Sequence, residues 1–212
     1  VYDIDGDKHF DIRMGSARSV VITSGSDEKI HIKLQSETLE NLASLYKIKL
    51  DEKRSKLDID CIAKKGVTRY ETEASVDVIL TLPADYTSHC EIDASTKVLR
   101  IENLRLSRLE YDGDARQVFI REVSGSVELT GKTDYDITLE GACTKLDVNQ
   151  FCANAIVHID DPAAYKAENN GRKCSVVYRR DGAVCEEPLC TEGERVISVS
   201  GIRSEMVIDC GV

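Results

Sequence analysis

The chain has no tryptophan, three phenylalanines, three prolines and two methionines in 212 residues. Aromatics make up 5% of the sequence, so the exposed rings that line an extended sugar-cleaving cleft are scarce. No apolar run reaches the length of a membrane-spanning helix, and no basic-then-apolar leader stands at the start. The first residue is Val1 rather than Met, as expected of a processed or trimmed product. Basic residues are outnumbered 28 to 38, for a net charge of -10 and a pI near 5.0. The cations are scattered and form no stripe over which phosphates could lie, so nucleic acid is not an expected partner. There is no C-x-x-C, and His9, His31, His89 and His158 are far apart, so no zinc site is expected. Serine-hydrolase, Walker and dinucleotide fingerprints are missing too, leaving no cofactor to expect. Asp3, Asp5, Gly6 and Asp7 approach a calcium loop, but position twelve counted from Asp3 is Met14 rather than Glu, and the stretch reads as a polar turn.

What the chain does have is a repeat. Between Cys90 and Tyr178 an alternating apolar pattern returns about every 19 positions. One row is Cys90, Leu109, Val127, Leu146 and Tyr165, with Ile92, Tyr111, Leu129, Val148 and Ala167 two residues on. A second row is Leu99, Val118, Ile137, Val157 and Val176, with Ile101, Ile120, Leu139, Ile159 and Tyr178 beside it. Period-2 alternation sends one set of side chains inward from each short strand. A unit this short cannot bury its apolar edge alone, so stacking of successive coils follows. An antiparallel sandwich would also alternate, but it would not hold one spacing over five units. The expected fold is all-β, a single-stranded, β-helix-like β-solenoid with about 19 residues per coil and one short helix. No linker divides the chain, so residues 1–212 read as one domain. Residues 1–83 form irregular coils with a capping helix, and 84–212 form regular coils and the final strands.

Ahead of the repeat, Phe10, Ile12, Val20, Ile22, Ile30, Ile32 and Leu34 mark alternating strands. Ser36 is placed as an N-cap, with Leu39, Leu42, Ala43 and Tyr46 at helical spacing, so a helix of two to three turns is expected to cover an open end of the core. Tyr46 to Leu50 and Leu57 to Cys61 read as a hairpin, and residues 63–74 as a polar loop. Pro83 stops the strand Val76 to Leu82.

Eight cysteines leave two readings, disulfides in an oxidising compartment or buried free thiols. Cys185 and Cys190, flanking Glu186, Glu187, Pro188 and Leu189, are spaced to close a small disulfide loop. Cys90 falls in an inward row.

The segments HFDIRMGSARSVVITSGSDEKIHIKL, YKIKLDEKRSKLDID, VDVILTLPADY and SGSVELTGKTDYDITLEG resemble a family of bacterial candidate adhesins. Its domain is otherwise of unknown function and is related to head-domain adhesins with a β-solenoid fold. The resemblance spans nearly the whole chain. It implies an exported or surface-attached domain, in some cases associated with envelope regulation, with no catalytic residues to carry over.

The repeat also sorts the outward residues. Glu91, Glu110, Glu128 and Asp147 form a carboxylate ladder at strand spacing, with His89, Arg108, Ser126 and Lys145 in the flanking row. Like charges so placed repel. A flat row does not converge on a cation as calcium requires, so a solvated, partly neutralised face is expected and no metal site. On the other face Glu102, Arg121, Glu140 and Asp160 run beside Arg100, Phe119, Thr138 and His158. This second row is the expected partner-contact face. Paired carboxylates on such a face would suit glycoside hydrolysis, but Glu140 lies one strand from Arg121, an ion-pair partner rather than a setting for a proton donor.

The leading reading is a non-enzymatic, cell-surface or secreted structural or adhesive module that presents long strand faces to a protein or glycan. The alternatives are the ectodomain of a membrane-anchored envelope regulator and a polysaccharide-active β-helix enzyme.

Overall fold

The structure is a computed structural model that describes residues 8–211 and the backbone of Tyr2–Asp3. Asp5, Gly6 and Asp7 of the expected polar turn lie outside the described residues. The described chain is all-β, with two short α-helices and a single 3-10 turn at Pro162–Ala164. Its centre is a stack of parallel strands. In one row Leu99 registers with Val118, Val118 with Ile137, and Ile137 with Val157. In the other, Leu109 registers with Val127 and Val127 with Leu146. All of these side chains are fully buried in one continuous core. Parallel pairing keeps each strand's inward residues directly above the inward residues of its neighbour, so an apolar column forms wherever the spacing is constant. Close backbone approach at the corners demands glycine. A Cβ on Gly113, whose φ is +149°, would lie 1.7 Å from the Ala94 carbonyl oxygen.

Both ends of the stack depart from chain order. The expected rows run on from Leu146 to Tyr165 and from Val157 to Val176, but neither pair is adjacent. The last strands of the chain, Arg195–Val199 and Glu205–Cys210, are inserted between them. Ile197 lies between Leu146 and Ala167, and Ile208 between Val157 and Tyr178. The first long strand, His9–Ser24, is inserted in the same way at the other end. Phe10 separates Leu57 from Cys90, and Val20 separates Val78 from Leu99. Alternation and spacing determine which side chains point inward. They do not determine which tier is stacked on which, because every tier offers the same parallel edge and the same apolar face.

The outermost strands near the amino end are antiparallel. Lys29–Ser36 pairs with Val76–Leu82, and Tyr46–Glu52 pairs with Lys56–Ala63 as the expected hairpin. The expected helix at residues 36–46 shrinks to α1, Leu42–Leu45, preceded by Asn41 in the left-handed region. The Ser36 hydroxyl is used earlier than a helix cap would be, accepting from the amides of Thr38 and Leu39 at 3.3 and 3.0 Å. The longer helix, α2 at Arg69–Ser75, occupies the stretch expected to be a polar loop. Thr68 caps it reciprocally. Its hydroxyl accepts from the Glu71 amide at 3.2 Å, and Glu71 Oε2 accepts from the Thr68 amide at 2.7 Å. The helix docks on the inserted first strand through Thr72, whose hydroxyl lies 2.6 Å from that of Ser16.

Candidate functional site

Four tiers bring the expected contact row into line. Arg100 registers with Phe119, Phe119 with Thr138, and Thr138 with His158. Alternation turns these residues outward, opposite the buried column of Leu99, Val118, Ile137 and Val157. The Arg100 guanidinium sits 4.4 Å above the centre of the Phe119 ring, a cation–π contact that ties the two side chains together. Beside it lies a groove of about 300 Å³, lined by Gln117, Phe119, Asp136, Thr138, Glu140, His158 and Asp160 among others. His158 faces a carboxylate on each side, hydrogen-bonding with Asp136 alone. Its Nε2 is 3.0 Å from Asp136 Oδ1, and its Nδ1 is 3.7 Å from Asp209 Oδ2. Asp209 belongs to the inserted last tier and registers with His158 directly. Sequence reasoning missed it because that reasoning placed the 175–180 strand in this position.

The groove is acidic and wet. Asp136 and Glu140 have side chains 55% and 52% exposed, and Arg121 Nε approaches Glu140 Oε2 at 3.8 Å with its own side chain largely in solvent. A pair this exposed contributes little to stability. Neither carboxylate is enclosed by apolar side chains in the manner of a glycosidase acid.

The carboxylate ladder on the opposite row is relieved by its neighbours. Glu110 registers with Glu128 and Glu128 with Asp147. Arg108 reaches both Glu110 at 3.0 Å and Glu128 at 2.5 Å, while His89 lies 2.8 Å from Glu110. Asp147 accepts from the hydroxyls of Ser198 and Ser200 at 2.6 and 2.9 Å, both supplied by the inserted tier. Further along, the His9 ring stacks on His89 with centroids 4.1 Å apart. Burial, and after it the charges of His89 and Lys56, holds the His9 imidazole below its ordinary range.

The eight cysteines carry free thiols in this structure. Cys90 is fully buried in the core column, as its row implies. Cys185 lies on a short strand opposite Tyr178. Cys190 is nearly inaccessible, and its thiol hydrogen-bonds with Cys210 rather than with Cys185. Burial pushes the Cys190 thiol up to about 12 and Cys61 to about 11, so both are thiols at neutral pH.

No family model matches the chain, and no curated protein matches it. Solved structures similar to it include the following two. One is described as a candidate cell adhesion protein from Clostridium sporogenes ATCC 15579, with a TM-score of 0.45 and 12% identity, covering 96% of this chain and 92% of that one. The other is described as a candidate adhesin from Bacteroides fragilis NCTC 9343, with a TM-score of 0.32 and 11% identity, covering 98% and 94%. Among the described residues no helix is long and apolar enough to cross a membrane.

Proposed function

We propose that this chain is a β-solenoid-type structural or adhesive module of the cell surface or of secreted material, without catalytic activity, and that it engages its partner through the row Arg100, Phe119, Thr138 and His158. The observation that carries the reading is the alignment of those four side chains on successive strands beside the Phe119 groove. A ring tied to Arg100, an imidazole and surrounding carboxylates form a chemically mixed patch of the kind that binds a protein or glycan. Rigid strands hold it without the ordering cost that a loop would add.

A binding screen against extracellular-matrix proteins, glycans and envelope proteins tests the proposal. Phe119→Ala and Thr138→Arg should abolish the signal of the true partner while leaving the circular dichroism unchanged. Turnover of an acidic or neutral polysaccharide, with or without calcium, in the absence of any bound partner would replace this reading with the enzymatic one. The surface assignment also includes a disulfide. Cys185–Cys190 is the pair proposed from spacing, and Cys190–Cys210 competes with it because those two thiols are hydrogen-bond neighbours. Peptide mapping of unreduced protein from its native compartment distinguishes the two, and eight free thiols there would overturn the secreted placement.

A further inference from the structure

The two ends of the stack treat their outer edges differently. At the carboxyl end the outer edge of Tyr165–Asn169 is covered by the chain itself. The Ala167 amide donates to the Cys190 carbonyl at 3.0 Å, and the Tyr165 carbonyl accepts from the Gly193 amide at 3.3 Å. At the amino end Tyr46–Glu52 pairs with Lys56–Ala63 on one side, and among the described residues no strand pairs with its other side. Hydrogen bonding within the hairpin determines what that open side presents. The Lys53 amide donates to the Lys56 carbonyl and the Lys64 amide to the Leu45 carbonyl, both at 2.8 Å. Antiparallel partners alternate between pairs that exchange these bonds and pairs that do not. Lys47, Lys49 and Asp51 therefore turn their backbone groups toward the hairpin partner, while Ile48 and Leu50 turn theirs off the edge.

The side chains leave this edge unprotected. Ile48 and Leu50 register with the buried Cys61 and Ile59, so they stand on the core side of the sheet, yet both are exposed. Edges are commonly blunted by proline, a bulge or an inward-pointing charge. Here the core-side positions are apolar, and Lys47 and Lys49 lie on the outer face, where they do not obstruct pairing. Asp51 lies on that same face, opposite Asp58. Lys53 sits nearer to Asp58, at 2.5 Å, than to Asp51, at 3.7 Å. Lys47 stands opposite Ile62 and makes no ion pair among the described residues.

We propose that this edge is a homodimer interface, on which a second copy of the chain adds its own Tyr46–Glu52 strand, antiparallel, about a two-fold axis through Lys49. Self-complementarity selects the occupant. Ile48 and Leu50 must meet residues that also face off the edge, so the two-fold axis falls on Ile48, Lys49 or Leu50. Centred on Ile48, Lys47 would oppose Lys49 of the second copy, twice over. Centred on Leu50, Ile48 would oppose Glu52 and Lys47 would oppose Lys53. Centred on Lys49, Ile48 opposes Leu50 and Lys47 opposes Asp51, each twice over, giving apolar pairs on the core side and opposite charges on the outer face. The one like-charge contact, Lys49 on its own copy, has Asp60 across the hairpin from each lysine. Two-fold pairing also closes the assembly, because each copy has used its edge.

Sedimentation equilibrium of the 212-residue chain tests the proposal. A dimer with a dissociation constant in the micromolar range is expected, as suits a contact built on one pair of strands. Lys47→Glu and Asp51→Lys should each weaken dimerisation by about tenfold or more, because each turns both cross-strand attractions into repulsions. The double variant should restore the dimer. The two single variants, mixed, should pair with each other as tightly as the unaltered chain pairs with itself, which also shows that both are folded. Ile48→Lys should remove association while leaving the circular dichroism unchanged. A monomer throughout the micromolar range, a dimer indifferent to both single charge variants, assemblies that keep growing beyond the dimer, or failure of the mixed variants to pair would each overturn the proposal.

Discussion

The middle of the stack and its two ends are built from the same kind of strand but obey different ordering rules. From Leu99 to Val157 each tier rests on the tier that precedes it in the chain. At the ends, the first long strand and the last strands are pushed one place inward, and strands from nearer the middle of the chain stack outside them. A simple stack leaves its terminal tiers open to fraying, with a row of unpaired backbone groups at each end. Here the first long strand and the last strand are each held on both sides by parallel partners. The positions outside them fall to other segments, including the hairpin that carries Ile48 and Leu50 at 58% and 42% exposure.

The comparison breaks most readily at the buried columns. Ile137 in the middle and Ile208 in the inserted tier are both fully buried. Ile137→Asp and Ile208→Asp should each cost about 4 kcal/mol or more, because an unpaired carboxylate is forced into the core. Equal loss in urea melts is expected, and a tolerated Ile208→Asp would show that the last tier is peripheral. Next in size are the corner glycines. An added Cβ would lie 1.7 Å from the Ala94 oxygen at Gly113 and 1.8 Å from the Gln150 oxygen at Gly201. Gly113→Ala and Gly201→Ala should each lose about 3 kcal/mol through backbone overpacking, read as matched drops in melting temperature.

A smaller effect marks the amino-terminal insertion. His9, on the inserted first strand, stacks on His89 and is also near Lys56, Glu91 and Asp11. Its folded pKa lies below the unfolded value of 6.5, so the unfolded chain binds the proton more readily. The contribution of neutral His9 is therefore complete above pH 6.5 and declines as pH falls from there through the folded value. His9→Gln should flatten the dependence of melting temperature on pH in that window, and an unchanged slope would remove His9 as its source. The smallest change is expected at Arg121, whose contact with Glu140 is exposed on both sides. Arg121→Ala should shift stability by about 0.5 kcal/mol or less, which a denaturant melt would register as no resolvable change.

Much of this architecture was legible from residues alone. The inward columns, the outward row Arg100, Phe119, Thr138 and His158, and the Tyr46 to Cys61 hairpin follow from alternation, and Arg108 relieves the Glu110 and Glu128 ladder from the row where spacing places it. The capping box Thr68 to Glu71 was also present in the sequence as a T-x-x-E pattern, though the polar composition of residues 63–74 read as a loop. The Ser36 helix failed for the opposite reason. Its apolar spacing suggested a helical face, but the hydroxyl closes a turn, and the chain goes straight into the antiparallel strand at Tyr46. Asp209 behind His158 and Ile202 between Phe151 and Arg172 carried no local signal, since their neighbours lie about 50 and 30 to 50 positions away.

The sequence by itself determined the all-β character of the chain and the facing of its side chains, because the two-residue period of a strand is a local property of the backbone. Only the tertiary structure decided which tiers touch. Parallel strands of equal apolar pattern are interchangeable as neighbours, and the choice among them rests on how corners and end segments pack. That choice placed the last tier beneath the penultimate one and gave His158 its second carboxylate.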